Sequence, residues 1–376
     1  MTVWSRHDIL MMNRAVQLAR KGLYTTRPNP SVGCVITQND IIVGEGFHQK
    51  AGEPHAEVHA LNAAKEASLG GTAYVTLEPC SHFGRTPPCA KALIEAGVKR
   101  VVVAMKDPNP QVVGRGLAML TAAGVQVDIG LLESQAEALN PGFIKRMKTN
   151  IPLVTVKLAA SLDGKTALAN GKSQWITGSE ARQDVQRLRA KHGALVTGVE
   201  TVLIDNPSLN VRYDELGGLT DVYDEKDLQQ PLRVILDSKA RLTGKERIFD
   251  IESPLLLVSC TAYPDEFTAK LPKHVEKVVL PDIKGRVDLH ALLAHLGQCV
   301  NSVMVEAGAT LAGAFVEAGC VDEIVLYQAP KLLGAKGRNL LALNDYESMA
   351  EIPSLKVIDE RKIGVDTRLV IQLGHI

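Results

Sequence analysis

Aromatic residues make up only 4% of this 376-residue chain, and its 42 basic and 42 acidic residues cancel to a formal net charge of zero. The first shortage argues against a stacking platform for single-stranded nucleic acid. The second removes the electrostatic footprint that duplex nucleic acid or an anionic membrane surface would need. No run approaches the roughly 20 consecutive apolar residues of a membrane span. The opening residues, Met1-Thr2-Val3-Trp4-Ser5-Arg6-His7-Asp8, show no basic stretch with an apolar run behind it, so no secretory leader is expected. Six cysteines in a chain of this length do not form a disulfide framework. Cys34, Cys260, Cys299 and Cys320 read as buried apolar thiols in a reducing cytoplasm. Neither G-x-G-x-x-G after a strand nor G-x-x-x-x-G-K-[ST] occurs, so the Rossmann and P-loop fingerprints are both missing. There is no internal repeat and no low-complexity tract.

What is present is ordinary for a globular protein: 45% hydrophobic and 22% charged residues. The length suggests two domains. Asp8 to Lys21 reads as an opening helix, with Ile9, Met12, Val16 and Ala19 at helical spacing and Gly22 as a stop. Val32 to Ile36 and Ile41 to Gly46 read as strands around a Gln38-Asn39-Asp40 turn. A helix from His55 to about Ser68, a strand over 72–77, a helix from Cys89, a strand over 100–103, a helix over 116–123 and a strand over 125–129 continue the alternation. Leu131 to Lys148 reads as one further helix, crossed by Asn140-Pro141-Gly142. The boundary is expected near Asn150-Ile151-Pro152, giving domains over 1–150 and 151–376. The second part alternates again: strands over 153–160, 194–198, 232–236, 255–259, 301–305 and 322–328, helices over 180–191, 287–296 and 308–318, and closing strands near 355–359 and 367–372. Gly217 to Gln230 has no apolar period and is expected to be an exposed, mobile loop. The class is α/β.

The chemistry concentrates at His55-Ala56-Glu57, Pro79-Cys80 and Cys89. One histidine and two cysteines suit Zn²⁺, and three protein ligands leave a fourth tetrahedral position for water, the mark of a catalytic site. Zinc brings the pKa of bound water to roughly 7, so hydroxide becomes available at neutral pH. Glu57 is too close to His55 to be a natural fourth ligand and is well placed to move protons. The ligands fall at helix N-termini beside strand ends, where partial positive charge favours thiolate. A structural zinc site would want a fourth Cys or His, which Cys34 could supply only by coincidence. The pattern H-x-E…P-C…C is that of nucleobase deaminases, except that eight residues, Ser81 to Pro88, separate cysteines usually spaced C-x-x-C.

That inserted run, Pro79-Cys80-Ser81-His82-Phe83-Gly84-Arg85-Thr86-Pro87-Pro88-Cys89, resembles the deaminases of riboflavin biosynthesis. So do Arg27-Pro28-Asn29-Pro30-Ser31-Val32-Gly33 and the stretch from Gly44 to Glu57. In the second half, Val156 to Gly164, Thr197-Gly198…Asp205-Asn206-Pro207…Leu209…Arg212 and Val305-Glu306-Ala307-Gly308 extend the likeness. Nearly the whole chain resembles the bifunctional pyrimidine deaminase/uracil reductase family.

The resemblance implies a cytidine-deaminase-like α/β/α domain followed by a dihydrofolate-reductase-like domain that binds NADPH. Asn29 and His48 would hydrogen-bond the pyrimidine, while His82 and Arg85 would meet ring and phosphate. Arg85 suits phosphate because a planar guanidinium binds it bidentately. Asp107 and Asn109 follow a strand end, where substrate contacts and simple turn chemistry are equally good readings. Ala159, Trp175, Thr201, Asp205, Ser238 and the run Gly308, Ala309, Thr310, Leu311 and Gly313 would line the cofactor, with bare amides at Gly308 facing the pyrophosphate. Ser173, Arg189, Leu209, Arg212 and Glu306 would carry the substrate, the two arginines fitting a sugar phosphate. Taken alone, Arg189 reads as a solvated helix face and Trp175 as core; beside Gly171-Lys172-Ser173, Trp175 reads as pocket. Lys157 and Asp205 are the ionisable candidates for the proton donor of the reduction, or else members of ion pairs.

The expected function is deamination of a diaminopyrimidinone bearing a phosphoribosylamino group, then NADPH reduction of its ribosyl group to a ribityl chain. The expected partners are this small-molecule substrate and further copies of the chain, as a dimer or tetramer, with no nucleic acid or membrane. A tRNA or cytidine deaminase with an appended binding domain is the rival, disfavoured by the cysteine spacing and neutral charge. A zinc-stabilised interaction protein would need neither Glu57 nor a pyridine nucleotide.

Overall fold

Ser5 starts the first helix by a reciprocal cap: its hydroxyl accepts from the Asp8 amide at 3.0 Å, and Asp8 accepts from the Ser5 amide at 3.0 Å. The computed structural model describes residues 3–81 and 87–373. The chain divides into two compact units, Met1–Asn150 and Ile151–Ile376.

The first unit runs α1 (Arg6–Arg20), β1 (Gly33–Gln38), β2 (Ile41–Phe47), α2 (Ala56–Ala64), β3 (Thr72–Leu77), α3 (Cys89–Glu95), β4 (Arg100–Met105), α4 (Arg115–Ala122), β5 (Gln126–Ile129), α5 (Glu133–Glu137) and α6 (Pro141–Thr149). Its sheet has the order β2-β1-β3-β4-β5, with β1 antiparallel to β2 and β3 and the remaining pairs parallel. Val101, Val102 and Val103 are all fully buried, because helices cover both faces of the parallel part. Helix α2 lies unusually close to β2. A Cβ on Gly46 would sit 2.4 Å from the Ala56 carbonyl oxygen, so only glycine permits the approach. The helix expected over 131–148 is two. Pro141 occupies the first turn of α6, and the Asn140 side chain is committed elsewhere, accepting from the Ser31 amide at 2.7 Å and donating to the Ser31 carbonyl at 2.9 Å.

The second unit contains β6 (Leu153–Ser161), β7 (Lys165–Ala167), α7 (Ser179–Lys191), β8 (Ala194–Gly198), α8 (Val199–Asp205), β9 (Leu232–Leu236), β10 (Leu255–Ser259), α9 (Asp265–Thr268), β11 (Val275–Val279), β12 (Asp282–Ile283), β13 (Arg286–Val287), α10 (Leu289–Leu296), β14 (Ser302–Val305), α11 (Ala309–Glu317), β15 (Glu323–Ala329), β16 (Arg338–Asn339), β17 (Leu355–Ile363) and β18 (Asp366–Leu373). The order β11-β10-β9-β8-β14-β6-β15-β18-β17 makes one nine-stranded sheet, parallel through β15 and closed by the antiparallel β18 and β17. Short elements such as α8 and β11 escape a reading by periodicity because they offer less than two full turns or one exposed edge.

Two expectations change. The 217–230 stretch is folded into turns rather than left loose: Gly217–Leu219 and Glu225–Asp227 are 3₁₀ turns, and Gln230 exchanges two 2.9 Å bonds with the Val211 backbone. Cys34 and Cys320 are buried, but Cys260 is half-buried and Cys299 exposed, since Cys299 falls in the turn after α10 rather than on its inner face.

Candidate active sites

His55 precedes the first residue of α2, Cys80 follows the end of β3, and Cys89 opens α3, so two helix starts and a strand end bring the three side chains together. His55 Nδ1 lies 3.6 Å from Cys80 Sγ and 3.3 Å from Cys89 Sγ, and the three donor atoms are all within 4.8 Å of one another. A tetrahedral zinc with Zn–S of about 2.3 Å and Zn–N of about 2.0 Å needs S···N separations of roughly 3.6 Å. The donor set therefore fits zinc in chemistry and in spacing. The Cys80 thiol is held well below its ordinary pKa because its sulfur accepts from the Cys89 thiol, from His55 and from the Cys89 amide, the last at 3.3 Å. A thiolate there is what a metal requires.

Glu57, the second residue of α2, is only 3% exposed. Burial pushes its carboxyl up to about 7. His48 packs its ring edge-on to His55 with centroids 5.3 Å apart. Its Nδ1–H donates to the Pro54 carbonyl at 3.1 Å, which leaves Nε2 to accept from the Asn29 amide at 3.0 Å. Burial lowers the His48 pKa, in keeping with this neutral form. Asn29 is set by its own turn, where its amide bonds Thr26, and by the Asn140–Ser31 clasp two residues on. Asn29, His48, His55, Glu57, Cys80 and Cys89 thus belong to one site. Asp107 and Asn109 form linked turns, Asp107 Oδ1 accepting from the Asn109 amide at 2.8 Å and Asn109 Oδ1 from the Gln111 amide at 3.0 Å. His82 and Arg85 lie outside the described residues.

A residue that motif reading missed is Glu78, 5% exposed. Its carboxylate accepts from the backbone amides of Asp107 at 3.2 Å, Gly114 at 3.0 Å and Gly116 at 3.0 Å. The only hint in the sequence is a carboxylate placed between an apolar strand and Pro79-Cys80.

In the second unit, Arg189 from α7 reaches Glu306 just past β14 with two bonds, Nε to Oε2 at 2.9 Å and Nη2 to Oε1 at 2.8 Å. Arg189 is 8% exposed, so the solvated-face reading fails. Its third bond goes to the Asn210 carbonyl at 3.1 Å. Lys157 Nζ on β6 stands 3.9 Å from Glu306 Oε1. Burial lowers the Lys157 pKa, with Glu306 opposing. Burial also pushes the Glu306 carboxyl up, but Arg189 and Lys157 outweigh it and hold the group at about 2. Arg212 donates its backbone amide to Gln186 at 3.1 Å and pairs its guanidinium with Glu215.

Not every candidate side chain joins this cluster. Leu209 is 3% exposed and packs in a hydrophobic core with Val199, Val202 and Ile235. Asp205 is exposed at the end of α8. Trp175 is 63% exposed, which rules out the core reading; the Arg182 guanidinium covers its ring at 4.5 Å. Ser173 and Thr201 are half-buried, Ala159 packs beside Tyr327, and Ser238 Oγ accepts from the Val287 amide at 3.2 Å. Gly308 and Thr310 are exposed at the start of α11, whereas Ala309 and Gly313 are buried. Gly313 faces the Ala342 backbone, where a Cβ would come within 2.2 Å of the carbonyl oxygen, and Leu311 lies beside Gly198. Asp163, in the Ser161–Gly164 turn, accepts from the Leu333 and Gly334 amides and so ties that turn to the 331–334 segment.

Comparison with known proteins covers nearly the whole chain. Residues 152–369 match the family model of the RibD C-terminal domain, and residues 5–105 match the cytidine and deoxycytidylate deaminase zinc-binding region. The riboflavin biosynthesis protein RibD of Escherichia coli is 52% identical over 364 residues, spanning 96% of this chain and 98% of its own. That of Haemophilus influenzae is 50% identical, spanning 98% of each. The solved structure of Acinetobacter baumannii RibD superposes with a TM-score of 0.90 at 45% identity, covering 98% of this chain and 99% of its own. A Thermotoga maritima diaminohydroxyphosphoribosylaminopyrimidine deaminase/5-amino-6-(5-phosphoribosylamino)uracil reductase gives 0.84 at 33% identity, again covering 98% and 99%.

Proposed function

This chain belongs to the RibD family of riboflavin biosynthesis, a zinc- and NADPH-dependent bifunctional deaminase and reductase, and from that premise we propose how its residues divide the work. The first unit, residues 1–150, deaminates 2,5-diamino-6-(5-phosphoribosylamino)pyrimidin-4(3H)-one. The second, residues 151–376, reduces the ribosyl group of the product to ribityl phosphate. The observation that carries the first half is the His55–Cys80–Cys89 cluster with buried Glu57 two residues past His55 in the first turn of α2.

His55, Cys80 and Cys89 would hold zinc, which would supply the Lewis acidity that makes a water nucleophilic near neutral pH. Glu57 takes one proton of the attacking water and delivers it to the ring nitrogen, then takes the remaining hydroxyl proton and delivers it to the departing amine, so that water adds, ammonia leaves and a carbonyl remains. Its burial suits this work, since a carboxyl near pH 7 both accepts and returns a proton. Asn29 and His48 hold the pyrimidine in the orientation fixed by their mutual bond. Arg85 and His82 meet phosphate and ring from the inserted run, and Asp107 and Asn109 complete the substrate contacts.

A bound NADPH would supply the hydride for the open-chain carbonyl, whose oxygen then needs a proton from this chain. Lys157 is the better placed donor, because it is half-buried beside Glu306, whereas Asp205 is exposed. Ser173, Leu209, Arg212 and Glu306 contact the sugar phosphate, Leu209 through its backbone. Arg189 acts chiefly by fixing the Glu306 carboxylate, since three of its donor bonds go to protein acceptors. Ala159, Trp175, Thr201, Asp205, Ser238, Gly308, Ala309, Thr310, Leu311 and Gly313 belong to the cofactor side, with exposed Gly308 and Thr310 meeting the pyrophosphate.

The enzyme works as a homo-oligomer in the cytoplasm. Support for the first is the edge strand β17, with Leu355, Val357 and Ile358 each half-exposed. Support for the second is that none of the six cysteines is joined in a disulfide. No helix among the described residues is long and apolar enough to cross a membrane. The test is paired assays on the full chain. Ammonia release from the phosphoribosylaminopyrimidine, followed by NADPH oxidation by the product, is expected. Deamination of cytidine or tRNA in its place would overturn the assignment.

A further inference from the structure

We propose that Glu78 is the positioning residue that sets the 107–116 loop against the deaminase centre, and so governs how tightly substrate binds. The inference rests on the reading above in which Asp107 and Asn109 contact substrate.

Strands β3 and β4 are parallel neighbours, paired from Thr72 with Arg100 to Leu77 with Met105. Their C-terminal ends open on the same edge of the sheet. The chain leaving β3 delivers Cys80, and the chain leaving β4 delivers Asp107 and Asn109. Substrate contacts in open α/β sheets gather at such strand ends. The Glu78 backbone extends the pairing one step, its amide donating to Met105 at 3.0 Å. Its side chain then does what backbone pairing cannot. Oε2 accepts from Asp107 and Gly114, and Oε1 from Gly116. One carboxylate thus holds both ends of the loop, at its start beside β4 and at its close on α4.

Helix α4 has no side-chain cap of its own, because Gly114 stands at its N-cap with φ of +79°. Glu78 provides the missing acceptor from another strand, and its negative charge faces the helix start. The fit is close: a Cβ on Gly116 would fall 1.9 Å from the Pro79 carbonyl oxygen. The loop therefore touches the residue between Glu78 and Cys80. Both carboxylate oxygens accept, so Glu78→Gln must aim an N–H₂ group at a backbone N–H whichever way the amide turns. The loop then loses part of its anchor while side-chain size is unchanged.

Contacts made equally in ground and transition states appear in KM rather than kcat. Full-length zinc-loaded Glu78→Gln and Asn109→Ala proteins should be compared for ammonia release, zinc per chain and NADPH oxidation, with amide hydrogen exchange at Asp107, Gly114 and Gly116. The expected result for Glu78→Gln is one zinc per chain, faster exchange at those amides, NADPH oxidation as in the parent, KM raised roughly tenfold or more and kcat within about threefold. Asn109→Ala should raise KM as well. If Asn109→Ala raises KM and Glu78→Gln does not, the positioning role is wrong while the substrate reading stands. If neither changes KM, the substrate reading of the loop falls and takes the proposal with it. Loss of zinc from Glu78→Gln would overturn the proposal too, since the carboxylate would then be supporting the metal site itself.

Discussion

Arg189 and Glu306 meet in a two-pronged ion pair, 2.9 and 2.8 Å, with side chains only 10% and 19% exposed. Such a pair contributes less by its own attraction than its breaking costs, because one partner is left buried and charged. Arg189→Met should therefore destabilise the second unit by about 3–5 kcal/mol. The Arg189→Met/Glu306→Leu double variant should recover much of that, while both lose the reduction. Urea unfolding of the full chain with NADPH oxidation measured alongside checks this; a double variant as unstable as the single would mean that packing, not charge, matters here.

The same pair predicts a pH dependence. The folded Glu306 carboxyl lies at about 2, below its ordinary value of 4.5. A depressed carboxyl contributes stability above its unfolded pKa and loses it as pH falls through the folded one. Stability should drop across the window from about 4.5 down to 2, and Glu306→Gln should flatten that slope. Thermal melts across that window provide the measurement.

Local patterns were legible where one element declares itself. The β-branched run Val101-Val102-Val103 reads as a strand, found as β4, and His55, Cys80 and Cys89 read as a metal site by donor type, found within 4.8 Å of one another. What periodicity could not report is pairing across the chain. Glu78 finds amides 29 to 38 positions away, and Asn140 finds Ser31 at a separation of 109. Arg189 looked solvated because helical spacing shows which residues share a face, not that a carboxylate 117 positions on will draw one inward. Cys299 failed for the converse reason: an apolar residue type says nothing of a turn that leaves it in solvent.

Gly46 is predicted to be irreplaceable. A Cβ there would meet the Ala56 carbonyl oxygen at 2.4 Å and the Ala60 amide at 2.6 Å, pushing away the helix that follows His55 and carries Glu57. Gly46→Ala should cost about 1–3 kcal/mol and weaken zinc retention during dialysis. Unchanged melting and zinc content would show that α2 can shift freely.

The two chemistries should separate. A Cys80→Ser/Cys89→Ser protein should lose zinc and ammonia release yet still oxidise NADPH when given the deaminated intermediate. Loss of reduction with the second unit still folded would show that the sites depend on one another.

The central claim is that Glu57 moves protons and does not hold the metal. Glu57→Gln keeps the side chain's size and removes its acid–base function. Zinc per chain and ammonia release, measured on the same preparation, test this directly. The account predicts about one zinc per chain with ammonia release reduced by roughly 10²-fold or more. A zinc-replete Glu57→Gln protein that deaminates at the parent rate would contradict it.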